Sequence, residues 1–177
     1  MLTFNDLLAL EGIDKTKVQL VRHRDNRLAA GRMYEAWRND RDAFETYQRV
    51  QARDVFKVGH LLASFIVTEV GKTVFVGLYR VDAVGTCPPG STDLLRNTDV
   101  SGDFKYDLSL TQELADYADM VVIDWGPGAR IWVQRADKQA KPVLEIAHQY
   151  EPRFPGFRKF VRPIDEIPTL PNGWQQV

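Results

Sequence analysis

The feature that most constrains the fold is Met120–Ile146, M-V-V-I-D-W-G-P-G-A-R-I-W-V-Q-R-A-D-K-Q-A-K-P-V-L-E-I. Met120–Ile123 is a short apolar run closed by Asp124-Trp125 and followed by Gly126-Pro127-Gly128. From Ala129 to Arg135 the residues alternate, with Ala129, Ile131 and Val133 on one parity and Arg130, Trp132 and Gln134 on the other. Glycine and proline between two such runs predict a turn joining two strands, and period-2 alternation gives the second strand two unlike faces. Its polar face is unusual for water. An aromatic plane beside a guanidinium and an amide can stack on a flat ligand and hydrogen-bond its edge, or it can lie under another element.

The rest of the chain supplies more strands than helices. Phe4 to Leu10 reads as a short helix capped by Thr3 or Asn5, with Leu7, Leu8 and Leu10 as its apolar side and Gly12 as its stop. Val18–Val21 is a strand candidate that runs into Arg22-His23-Arg24-Asp25. Met33 to Gln51 has helical spacing, with Tyr34, Trp37, Phe44 and Tyr47 at three- and four-residue steps and Asn39-Asp40 as a break. Those aromatics read as core rather than as a stacking platform. Leu62–Thr68 and Thr73–Val81 are rich in Val, Ile and Phe, and Glu69-Val70-Gly71-Lys72 between them predicts a hairpin. Gly77 inside the second run predicts a bulge or a close backbone approach.

Val84 to Lys105 reads as a long surface loop, Leu108–Tyr117 as a helix or a short strand, and Val143–Ile146 as a third strand after the central stretch. Glu151 to Phe160 is irregular, Val161–Ile167 returns to a strand, and Leu170–Trp174 has the character of a linker. The fold class expected is α+β: a small curved β-barrel with a few flanking helices. Residues 1–170 form one domain and 171–177 begin a linker.

Charge and cysteine content narrow the function classes. The net charge of −1 gives no whole-molecule basic signature for nucleic acid, but binding depends on local charge, and Lys15–Lys57 is rich in Arg and Lys. One cysteine, Cys87, rules out an intramolecular disulfide and fits a cytoplasmic setting. No apolar run approaches the ~20 residues of a membrane helix. His23, His60 and His148 lie far apart without paired-ligand spacing, so no metal or other cofactor is expected. No nucleophile elbow or phosphate loop is present, and Val76-Gly77-Leu78-Tyr79 lacks the companion segment of a nuclease motif.

The candidate contacts are therefore those of a binding site. Trp125 and Trp132 could wall a cleft for a flat heterocycle, and Asp124, Gln134 and His23 could read its edge. His23 would need Asp25 or Asp124 to act as an acid–base group; otherwise its ring nitrogens meet backbone or water. Gln48 and Gln51, three apart on one helix, either reach a base edge or face solvent. Arg22, Arg24, Arg130, Arg135, Lys138 and Lys141 could hold phosphates or form a solvated charged surface.

Taken together, Leu20-Val21-Arg22-His23, Phe44–Gln48 with Gln51, Phe75–Tyr79, Ile123–Gly126 with Arg130, Trp132–Ala136 and Phe154–Phe157 carry a family resemblance. Over nearly its whole length the chain resembles the N-terminal region of bacterial GIY-YIG nuclease family proteins. In such proteins a nuclease module follows near the position of Leu170–Trp174. The resemblance implies a non-catalytic targeting domain of a restriction or defence-type endonuclease, with DNA and the nuclease domain as partners.

Joined to the barrel-like strand content and the aromatic–amide–cation face, this leads to a reader of modified bases of the PUA-like kind, the group that includes SRA, EVE and YTH domains. Such a reader would flip a base into an aromatic pocket. The rival expectation is a structural or homodimerising domain that positions the nuclease without reading DNA. A free-standing enzyme on a nucleotide has the least support.

Overall fold

The computed structural model describes residues 3–24, 27–29, 31–69, 72–125, 133–136 and 143–146. Its architecture is mixed α+β, a strongly curled half-barrel sheet flanked by helices. The helix α1 (Phe4–Leu10) begins in a capping box: Thr3 accepts the Asp6 backbone N–H, and the Asp6 carboxylate accepts the Thr3 N–H at 2.7 Å. Asn5, the other predicted cap, instead donates its amide to the Ala136 carbonyl at 2.9 Å. Phe4, Leu7 and Leu8 are buried, while Leu10, expected on the same apolar side, is exposed.

Strand β1 (Val18–His23) is followed by α2 (Arg32–Asn39) and α3 (Arg41–Arg49), broken at Asp40 as the spacing predicts. Asp40 caps α3 through the Ala43 N–H. After the short β2 (Val50–Gln51) comes β3 (Leu61–Glu69), parallel to β1, so the two helices form the crossover that a parallel pair requires. β4 (Lys72–Thr86) folds back on β3 with Glu69 opposite Lys72, the hairpin predicted there.

The remaining strands depart from the sequence reading in three places. β4 continues to Thr86 and β7 (Phe104–Leu110) pairs along its second half, so the predicted loop of 84–105 is shorter than expected. That loop also holds a two-stranded ribbon, β5 (Thr92–Asp93) with β6 (Thr98–Asp99). Val84, Gly85 and Thr86 are exposed, so backbone pairing rather than burial extends β4, and no apolar pattern announces it. Leu108–Tyr117 divides into the end of β7 and a short 3-10 turn at Ala115–Tyr117.

The third correction concerns the central stretch. β8 (Val121–Asp124) and β9 (Val133–Arg135) do not pair across the Gly-Pro-Gly segment. β8 lies between β4 and β10 (Val143–Ile146), whereas β9 runs antiparallel to β1 at the opposite end of the order β10-β8-β4-β3-β1-β9. Four strand spacings amount to about 19 Å, and residues 125–132 can extend about 26 Å. The reversal signal is local, but the choice of edge is set by the crossover that leaves β1 open. The third-strand reading of Val143–Ile146 holds. The segments read over Glu151–Phe160, Val161–Ile167 and Leu170–Trp174, and the domain end at 170, lie outside the described residues.

The centre of the sheet is buried on both faces. On one, α1 packs over Val18, Leu20, Ala63, Phe65, Phe75 and Leu78. On the other, α2 and α3 bring Tyr34, Trp37, Phe44 and Tyr47 onto Ile66, Val74 and Val76, which makes those aromatics core. Val21, Leu62, Tyr79 and Val81 continue that second face towards β7. The predicted bulge is present. Ser64 pairs with Gly77 and Phe65 with Phe75, so Val76 is the extra residue and the alternation of β4 inverts beyond it. In a regular strand Phe75 and Tyr79 would share a face; the bulge turns Tyr79 towards α3 instead.

Candidate nucleic-acid interface

β1 ends in two polar residues that point to opposite faces of the sheet, and each belongs to a different site. Arg22 follows Val18 and Leu20 on the α1 face, at the end of β1 and level with Phe65. Its guanidinium lies over the ring of Trp125, 4.8 Å from the centroid, and Arg22 is 8% exposed. Trp125 is half-buried, meets Phe65 edge-on at 5.8 Å, and donates its indole N–H to Thr73 Oγ1 at 2.8 Å. These three contacts fix the indole, and the indole in turn orients the arginine; such a cation–aromatic pair stabilises by about 0.5–2 kcal/mol, more as water is excluded. Burial lowers the Arg22 pKa from the usual guanidinium value, yet an arginine keeps its charge in proteins.

Sequence reasoning proposed both residues as contacts without placing them together, and it missed Thr73. It also took Trp125 as a stacking wall, whereas Arg22 already occupies part of the space over its ring. Arg24, one residue past β1, is exposed as a phosphate contact would need.

His23 faces the helices and is buried. Its Nε2 is 3.0 Å from Ser64 Oγ and 3.3 Å from Gln48 Oε1, and its ring sits edge-on between Phe44 and Tyr47. The Ser64 hydroxyl donates to Gln48 Oε1 at 3.0 Å, Gln48 Nε2 donates to Glu45 Oε2 at 2.8 Å, and the Tyr79 hydroxyl donates to Glu45 Oε1 at 2.8 Å. The direction of the chain is determined. A Glu45 carboxylate can only accept, so Gln48 turns its NH2 to Glu45 and its carbonyl to Ser64 and His23. With its proton on Nε2, His23 donates towards both oxygens, and the Ser64 hydroxyl is directed at Gln48 rather than at the ring.

Burial lowers the His23 pKa from 6.5 to about 4, against the opposing pull of the Gln48 hydrogen bond. Burial and then the Glu45 carboxylate push the Tyr79 phenol up.

One expectation is overturned here. Gln48 and Gln51 neither face solvent nor present their amides outward: both are buried, and Gln51 Nε2 donates to the Gln48 carbonyl at 2.9 Å. Enclosure is the reason, since helical spacing cannot tell a polar residue facing water from one closing a buried chain. The described partners of His23 are a neutral amide and a hydroxyl, while Asp25 and the side chain of Asp124, the carboxylates expected beside it, lie outside the described residues. Of the other predicted contacts, Arg130, Trp132, Lys138 and Lys141 lie outside the described residues, as do the side chains of Asp124, Gln134 and Arg135.

Among the described residues no three His, Cys, Asp or Glu side chains gather as metal ligands, and no helix is long and apolar enough to cross a membrane. No family model, curated protein or solved structure matches the chain.

Proposed function

We propose that this chain is a DNA-recognition module in which Arg22, held over the ring of Trp125, meets an acceptor on the nucleic acid. The observation that carries the proposal is the 4.8 Å stack of a mostly buried guanidinium on an indole whose own N–H is fixed to Thr73. A guanidinium ordered in advance loses little freedom on binding, and its planar fork matches a phosphate or the O6/N7 edge of guanine. The exposed Arg24 beside it would add salt-dependent attraction.

In this reading the module targets a GIY-YIG endonuclease of the restriction or defence type in the cytoplasm, and does no chemistry itself. A PUA-like reader would flip a modified base at a cost of a few kcal/mol and recover ~1–3 kcal/mol for each base stacked on an aromatic. Trp132 would supply that stacking, Asp124 and Gln134 the edge contacts, and Arg130, Arg135, Lys138 and Lys141 the phosphate contacts. Trp125 acts as the support of Arg22.

The test is a binding screen of duplexes carrying different cytosine and adenine modifications, each at two salt concentrations. The proposal expects affinity that falls steeply with salt and favours one modification. Equal binding to modified and plain duplexes would remove its base-reading half.

A second reading, a scaffold or dimerisation domain, has one observation of its own. His23, Gln48 and Gln51, three of the expected edge readers, are sealed inside with partners. It expects no duplex binding at any salt and a concentration-dependent dimer in sedimentation.

A further inference from the structure

The two polar ends of β1 are consecutive residues, which ties the buried chain to the site on the other face. Among the described residues β1 pairs with β9 from Gln19 opposite Arg135 to Val21 opposite Val133, and with β3 through Arg22 opposite Phe65 and His23 opposite Ile66. The β3 ladder holds the backbone of both residues, and side-chain anchors add to it. His23 is such an anchor. It is hydrogen-bonded to Ser64 on β3 and Gln48 on α3, and is held edge-on by Phe44 and Tyr47. Gln48 is itself tied through Glu45 to Tyr79, the residue that the Gly77 bulge turns towards the helices.

We infer that His23, acting through Ser64 and Gln48, is the positioning residue for the Arg22–Trp125 pair, which it never touches. The hydrogen bond from Nε2 holds the end of β1 on the sheet; without it the backbone of Arg22 moves outward and the guanidinium leaves the indole. This rests on reading the Arg22–Trp125 pair as the binding site. The coupling itself, however, has a signature that does not depend on any ligand.

The experiment compares His23→Leu with His23→Gln in the full chain, because a glutamine can place an amide N–H near the position of Nε2–H. In 15N-labelled protein, the Arg22 Nε–H resonance is expected to be displaced by the ring current of Trp125. A Trp125→Leu variant gives its undisplaced value. His23→Leu is expected to move the resonance to that value and to weaken binding of the preferred duplex by about tenfold. His23→Gln is expected to restore both. A purely structural histidine would lower the melting temperature without moving the resonance.

Should His23→Leu not fold, Ser64→Ala removes one of the two hydrogen bonds of Nε2 with a smaller change and is read in the same way. A resonance that stays displaced in His23→Leu, or that is lost equally in the Leu and Gln variants, would overturn the inference. Failure of the unaltered protein to bind any duplex would count against the DNA reading alone, since the resonance still decides the coupling.

Discussion

At the scale of single residues, His23 makes the sharpest prediction. Its pKa in the folded protein is about 4 against 6.5 for an ordinary histidine. As the pH falls, the unfolded chain therefore takes up the proton first. The stability this neutral histidine confers is complete above about pH 6.5 and is lost progressively down to about pH 4, a change on the order of 3 kcal/mol. Urea denaturation at pH 7.5 and pH 4.5 should show that loss in the native protein and a smaller one in His23→Gln, which cannot titrate. Equal pH dependence in the two proteins would contradict the assignment of a buried neutral imidazole. The identity of His23 as a residue of interest was legible in the sequence, but its role was not. Ser64 and Gln48 reach it from β3 and α3, and nothing in V-R-H-R states which residues will be near.

Individual elements were easier to read where the signal is local. The Thr3 cap, the break at Asp40 and the Glu69–Lys72 hairpin follow from backbone chemistry within a few residues. Replacing Thr3 with alanine should cost about 0.5–2 kcal/mol in a denaturant melt. The bulge on β4 is likewise announced by Gly77, whose φ of +155° disfavours a side chain. A Cβ there would stand 3.0 Å from Leu110 Cδ1 and 3.1 Å from Tyr79 Cε2. Gly77→Ala should therefore destabilise by about 1–3 kcal/mol and disturb the Tyr79–Glu45 hydrogen bond. An alanine variant as stable as the native protein would mean that the strand tolerates the residue. Pairing between distant elements was the part that local signals missed. The Gly-Pro-Gly segment marks a reversal, yet β9 crosses to β1 because the parallel β1–β3 pair leaves an edge to be covered.

For the whole molecule, several short strands with few helices correctly implied a curved sheet with flanking helices, and alternation sends neighbours such as Val74 and Phe75 into separate cores. What alternation could not separate is a polar residue that faces a ligand from one that closes a buried chain. Arg22 and His23 look alike in sequence and end on opposite faces. The proposed function therefore puts ligand recognition on the α1 face, where the guanidinium and indole meet, opposite the internal anchor on the α2–α3 face. The most direct test is equilibrium binding of modified and plain duplexes, at two salt concentrations, by the native protein and Arg22→Lys. Lysine keeps the charge but has neither the planar fork nor the guanidinium contact with Trp125. The expected result is that duplex affinity falls while the salt dependence is retained; unchanged affinity in the lysine variant would contradict the account.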